Sequence, residues 1–212
     1  MACAGIGTVL LTLGMAEEQS LPRPPVAATG PAQPSIAPSP TDPPNSAEDV
    51  APLPRSAPVA LTIPAIELHT THLVELGLTP ERRLEAPREW QAVGWYARGA
   101  APGQTGPAVL AGHLDSVDGP AVFHRLGGLR PGDRASVRRA DGTSAEFTVY
   151  AVESHPKDAF PTDSVYEDTR QPELRLITCG GGFDAATGHY TDNVIVYARL
   201  AAEHDRQGTP SG

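Results

Sequence analysis

Cys179 is the residue in this sequence best suited to covalent chemistry. It stands in LRLITCGGGF (174–183), where an alternating apolar run ends and three glycines follow. The other of the two cysteines, Cys3, lies near the N-terminus, so the folded part cannot close an intramolecular disulfide. No CxxC occurs, and a tetrahedral zinc site would want several cysteine or histidine ligands at short spacing; no metal and no cofactor is expected. Two roles stay open to a lone thiol. It can be a small buried hydrophobe, the usual fate of free cysteine, or a nucleophile. The glycines weigh toward the second, because they let a backbone or a substrate approach closely.

A nucleophilic thiol needs a base or a cationic partner to populate its thiolate, and seven histidines are available. His69 and His72 (HTTH) flank an early strand segment, with a spacing too weak to suggest a metal. His155 precedes a proline in an expected loop, His204 lies in the tail, and His124 falls in an expected helix after Pro120. His113 and His189 remain. His113 closes the apolar strand AVLAGH (108–113), after Gly112 and before Asp115 and Ser116, whose expected role is to cap the following turn. Two strand ends, one with cysteine and one with histidine, each beside glycine, make a candidate nucleophile and general acid.

The elements that must hold these residues read mainly as strands. VALTIPAI (59–66), AVGWYA (92–97) and AVLAGH are short apolar runs. RASVRR (134–139) and AEFTVYAVES (145–154) flank Asp141-Gly142, a pair suited to a type I′ hairpin turn. LRLITC (174–179) and NVIVYARL (193–200) supply the last two strands, and short helices are expected at 120–129 and around 163–168. Many short strands separated by glycine and proline turns argue for an all-β barrel or sandwich.

The rest of the chain frames this domain. Residues 1–18 include an uncharged apolar stretch, AGIGTVLLTLGMA (4–16), long enough for a signal-peptide core but short for a membrane span of about 20 residues. It reads as a leader or signal-anchor. Residues 19–56 form a proline-rich spacer: twelve of the 23 prolines lie between Pro22 and Pro58, a composition that buries no core and favours extended disorder. The globular domain is expected over 57–202 and a disordered tail over 203–212. A net charge of −9 argues against a nucleic-acid partner, which calls for a basic patch. A leader followed by a semi-rigid spacer suggests a domain held outside a membrane.

The motifs carry a resemblance. GPAVLAGHLDS (106–116), GPAVFHRLGGLRPGD (119–133), FPTDSVY (160–166) and LRLITCGGGFD (174–184) resemble the sortases, specifically class F, and IPAIEL (63–68), LGL (76–78), VGWY (93–96) and DNVIVYA (192–198) fit the same pattern. The resemblance covers about Leu61 to Leu200. It implies a closed eight-stranded β-barrel and a cysteine transpeptidase on the outer face of the cytoplasmic membrane. Cys179 would attack an LPxTG-like sorting signal of a secreted protein, and His113 would protonate the departing amine. The acyl-thioester would pass to an amine acceptor such as a peptidoglycan stem or cross-bridge, or to water. One departure stands out. Sortases place an arginine near the start of the strand after the cysteine, whereas this chain reads GHYTDNVIV (188–196) there. Asn193, which begins that strand, is the expected substitute donor, with Tyr190, Thr191 and His189 behind it. The alternative function is a sortase-like barrel that binds peptides with little turnover.

Overall fold

The computed structural model describes residues 50–201; the leader, most of the spacer and the tail lie outside them. In chain order the strands are β1 (Pro58–Ile63), β2 (Leu68–Thr70), β3 (Leu73–Leu76), β4 (Val93–Tyr96), β5 (Gly106–Gly112), β6 (Asp115–Ser116), β7 (Gly119–Pro120), β8 (Arg134–Arg139), β9 (Ser144–Pro156), β10 (Pro172–Asp184) and β11 (His189–Leu200), with the short helix α1 (Thr162–Tyr166) between β9 and β10. Nine strands share one sheet in the order β2-β1-β8-β9-β11-β10-β5-β4-β3, while β6 and β7 pair separately. The sheet curls until β1 meets β3, giving the expected all-β barrel, nearly closed and with nine strands in its wall where eight were expected.

The ninth strand of the wall comes from a proline. Pro64 fixes φ and cannot donate to the ladder, so β1 runs into a 3-10 turn at Pro64–Ile66. Glu67 then takes a left-handed φ of 56°, and the chain doubles back as β2, pairing Ile63 with Leu68.

Period-two alternation separates two apolar faces. Leu174 and Leu176 of β10 point inward with Leu61, Ile63, Leu110, Phe123, Phe147 and Val196, all 0% exposed. Ile177 belongs to a second cluster on the outer wall with Val109, Ile195, Tyr197 and Val165 of α1. The odd-numbered residues of β10 from Glu173 to Cys179 therefore face outward.

Three local expectations change. Residues 120–129 form no α-helix; the stretch opens in β7 and holds only a 3-10 turn at Leu126–Gly128, since Gly127 and Gly128 lack helix propensity. The β8–β9 hairpin forms, but among Asp141 and Gly142 only Gly142 has positive φ, at 85°. A type I′ turn needs both. Asp141 instead accepts from Thr143 N at 3.0 Å, which fixes a turn followed by a left-handed glycine. Third, packed chain begins before the expected Ala57. Leu53 N donates to Gly103 O at 2.8 Å, and Arg55 lies 5.2 Å over the Trp95 ring. The buried Arg139 donates to the Pro54 carbonyl. Proline-rich composition concealed these single anchors.

The two ends of the barrel differ. Pro58 pairs with Arg139 beside the β8–β9 turn, and Leu200 pairs with Phe147. So β1 starts and β11 ends at one rim, while β5 and β10 finish at the other. Among the described residues no helix is long and apolar enough to cross a membrane.

Candidate active site

β5 and β10 run parallel, so their C-terminal ends reach the same rim. The register pairs Leu110 with Leu176 and Ala111 with Ile177. Two residues beyond that last pair stand Cys179, still within β10, and His113, which follows the end of β5. Both continue the outward face begun by Val109 and Ile177. The cysteine is accordingly half-buried on the wall, on the face opposite the barrel core.

β10 does not end at Cys179. It continues through the glycines to Asp184, with a bulge between Gly180 and Phe183. The glycines are there for β11. A Cβ on Gly180 would come 2.6 Å from Val194 Cγ2, and one on Gly181 would come 2.4 Å from Thr191 Oγ1 at a φ of +75°. Gly182 has nothing within 4 Å of such a position, and its N–H donates to Thr191 Oγ1 at 3.1 Å. Hence Gly181→Ala should lower stability by about 2 kcal/mol, from left-handed strain plus the clash, whereas Gly182→Ala should leave thermal unfolding nearly unchanged. Equal midpoints for the two variants would count against this account.

His113 is held firmly. A carbonyl can only accept, so the 2.7 Å bond between His113 Nε2 and Pro87 O fixes the proton on Nε2. The Trp90 ring meets the imidazole edge-on at 4.5 Å between centroids, and Phe123 N donates to His113 O at 2.9 Å. Nδ1 remains as the ring nitrogen able to exchange a proton.

On the other flank Cys179 pairs with Asn193, which pairs in turn with His155 of β9. The row Cys179, Asn193, His155 thus crosses β10, β11 and β9, and His113 follows the end of β5 on the other side of β10. His155 was expected in a loop; it lies within β9 and bonds Glu153 Oε2 at 2.7 Å. Its period-two place after Glu153 was the available signal. Of the turn residues, Ser116 serves as expected, accepting from Asp118 N at 3.2 Å. Asp115 does not: its carboxylate accepts a hydrogen bond from the Tyr190 hydroxyl, a long-range pairing that local sequence cannot reveal. Thr191 is engaged by Gly182, and His189 pairs with Asp184 at the hairpin end.

Neither nearby arginine serves the site. Arg175 is 3% exposed; it pairs with Glu173 at 2.5 Å, donates to Ser164 O at 3.2 Å and covers the Tyr197 ring at 4.7 Å. It fastens α1 to the wall. Arg199 lies over Tyr150 at 4.7 Å, toward the far rim. Among the described residues the exposed large apolar side chains are Trp90, Val117 and Phe183. Trp90 touches His113, Val117 tips the β6–β7 turn, and Phe183 meets Tyr190 at 5.3 Å.

Comparison with known proteins follows the same lines. The model of the sortase domain matches residues 61–201. Solved structures with this fold include a Clostridium perfringens sortase D5 transpeptidase, at 20% identity and TM-score 0.50 over 69% of this chain and 79% of that one. A lid mutant of sortase A from Corynebacterium diphtheriae aligns at 18% identity and TM-score 0.54, covering 73% and 75%. Sortase C-1 from Actinomyces oris aligns at 20% and 0.51, covering 67% and 72%. Comparison with curated proteins finds no match.

Proposed function

Since this chain belongs to the sortase family of cysteine transpeptidases, we propose that it cleaves an LPxTG-like sorting signal through an acyl-thioester on Cys179. The acyl group then passes to an amine or to water. The observation that most supports this reading is that β5 and β10 run parallel and pair as far as Ala111 and Ile177, two residues before His113 and Cys179, which brings both to one rim of the barrel.

The steps follow from these groups. The Cys179 thiolate attacks the scissile carbonyl carbon, and the π electrons move to oxygen. The tetrahedral species collapses, breaking the C–N bond, and the departing amine takes a proton from His113. With Nε2 committed to Pro87, that proton travels on Nδ1. In the second half an amine or water attacks the thioester, gives its proton to His113 and expels the thiolate. A cleft of about 560 Å³ beside Pro87 is lined by Glu75, Glu85 and Glu89 with Arg88; its acidic walls suit a cationic amine acceptor such as a peptidoglycan stem or cross-bridge.

Class F membership and a place on the outer face of the membrane belong to the same proposal. They are supported by the GPAVLAGHLDS and LRLITCGGGFD motifs and by the apolar leader. A second reading, a barrel that binds sorting peptides with little turnover, draws on the absence of arginine from 188–196. Intact-mass measurement after mixing the protein with LPxTG-type peptides separates the two. A covalent adduct of the acyl fragment on Cys179 supports the enzyme; binding with no adduct supports the second reading.

Asn193 is proposed as the oxyanion donor in place of the arginine, because it stands directly opposite Cys179 and an amide N–H suffices for that task. Asn193→Ala should lower kcat and kcat/KM together by about 10²–10³-fold with thermal unfolding little changed. An unaltered kcat in the folded variant would assign Asn193 to strand pairing alone.

A further inference from the structure

Backbone pairing between β5 and β10 ends at Ala111 and Ile177, two residues short of His113 and Cys179. The contacts of His113 described above are to Pro87, Trp90 and Phe123, and none of them is to Cys179. A different bond leads toward it. The Tyr190 hydroxyl donates to Asp115 Oδ2, and in the sheet β10 lies between β5 and β11. This hydrogen bond therefore joins the segment following β5 to β11, across the glycine stretch of β10 just beyond the nucleophile.

We propose that Asp115 and Tyr190 form a clasp that holds the His113-bearing strand end level with Cys179, and that both are positioning residues for acyl transfer. Each half of the clasp is itself fixed. Asp115 pairs with Pro120 in the β6–β7 ribbon, while Tyr190 pairs with Phe183 in the hairpin and packs on its ring. The glycines between them offer no side chain to obstruct the bond. The hydrogen bond to Asp115 raises the Tyr190 pKa, as do partial burial and the charges of Asp115 and Cys179, so the phenol keeps the donated proton at neutral pH. The inference rests on the catalytic reading of Cys179 and His113.

The test uses the full chain and four variants: Tyr190→Phe, Asp115→Ala, Asp115→Asn and the Tyr190→Phe/Asp115→Ala double. Thioester formation gives kcat and KM, thermal unfolding gives stability, and NMR follows the His113 ring and the Trp90 indole. Tyr190→Phe and Asp115→Ala should each lower kcat about 10- to 100-fold, as displacement of a reacting group by an ångström does, with KM little changed. The double variant should be no worse than the poorer single one, because both remove one bond. Asp115→Asn should recover part of the rate, since its amide oxygen still accepts from the phenol. The His113 ring signals should broaden in Tyr190→Phe. A folded Tyr190→Phe with unchanged kcat overturns the clasp, as do losses that simply multiply in the double variant. Should Tyr190→Phe fail to fold, the ordering of Asp115→Asn above Asp115→Ala in kcat decides. If the wild-type chain forms no thioester, the catalytic reading falls, and the ring signals alone judge the clasp: broadened supports it, unmoved refutes it.

Discussion

Cys179→Ala is expected to abolish thioester formation and peptide cleavage while leaving the barrel intact. In the proposed reaction the thiol is the electron-pair donor for the first bond made, and its neighbours in β10 offer no substitute: Thr178 points into the barrel with 3% exposure, and the next three residues are glycines. Stability should hardly move. The side chain lies half-buried on the outer wall, so its loss opens no enclosed cavity, and the ladder to Asn193 is made by backbone. Thermal unfolding should stay within about 2–4 °C of the parent, the shift that 1 kcal/mol produces in a domain of this size. Intact mass with an LPxTG-type peptide is the second measurement. An adduct that survives on the alanine variant would move the nucleophile elsewhere, and a collapsed midpoint would return Cys179 to the core.

His113→Ala should lower kcat about 10²–10⁴-fold, the range that a positioned proton donor supplies. The loss should fall on both halves of the reaction, because in the proposed mechanism the same imidazole gives a proton to the leaving amine and takes one from the acceptor. Some stability goes too: Trp90 loses its edge contact, worth about 0.5–1.5 kcal/mol, and Pro87 O is left to solvent. The rate must therefore be taken per folded molecule. Added imidazole should restore part of the activity of this variant and none of that of Cys179→Ala. A folded His113→Ala with kcat within about threefold of the parent would make the histidine a packing residue.

Much of this arrangement could be read from the chain before any coordinates. The alternation in LRLITC and NVIVYARL announced two wall strands, and AVLAGH set a histidine at the end of a third. The row of candidate site residues then depends on which strands neighbour one another. That β10 sits between β5 and β11 is set by packing over long sequence separations, and no local pattern records it. The misreadings share this cause. The glycines after Cys179 look like a loop because their close approach to Val194 and Thr191 is tertiary. His155 looks like a loop residue because Pro156 follows it, although that proline stands at the end of β9, where a missing donor is tolerated. Asp115 looks like a turn cap because its partner is 75 positions away. The anchors at Leu53 and Arg55 were hidden for the opposite reason: one backbone bond and one stacked side chain cannot offset the average of a proline-rich segment.

The opposed rims of the barrel bear on how the molecule can be attached to anything. β1 enters and β11 leaves beside the β8–β9 turn, while Cys179 and His113 lie at the end where β5 and β10 finish. A bead, a fused domain or a chip surface joined through either end of the described chain would sit behind the reaction face. Long protein substrates could then approach from open solvent, and a support that blocked them would have to be joined at the β6–β7 tip near Val117 or through the β10–β11 hairpin.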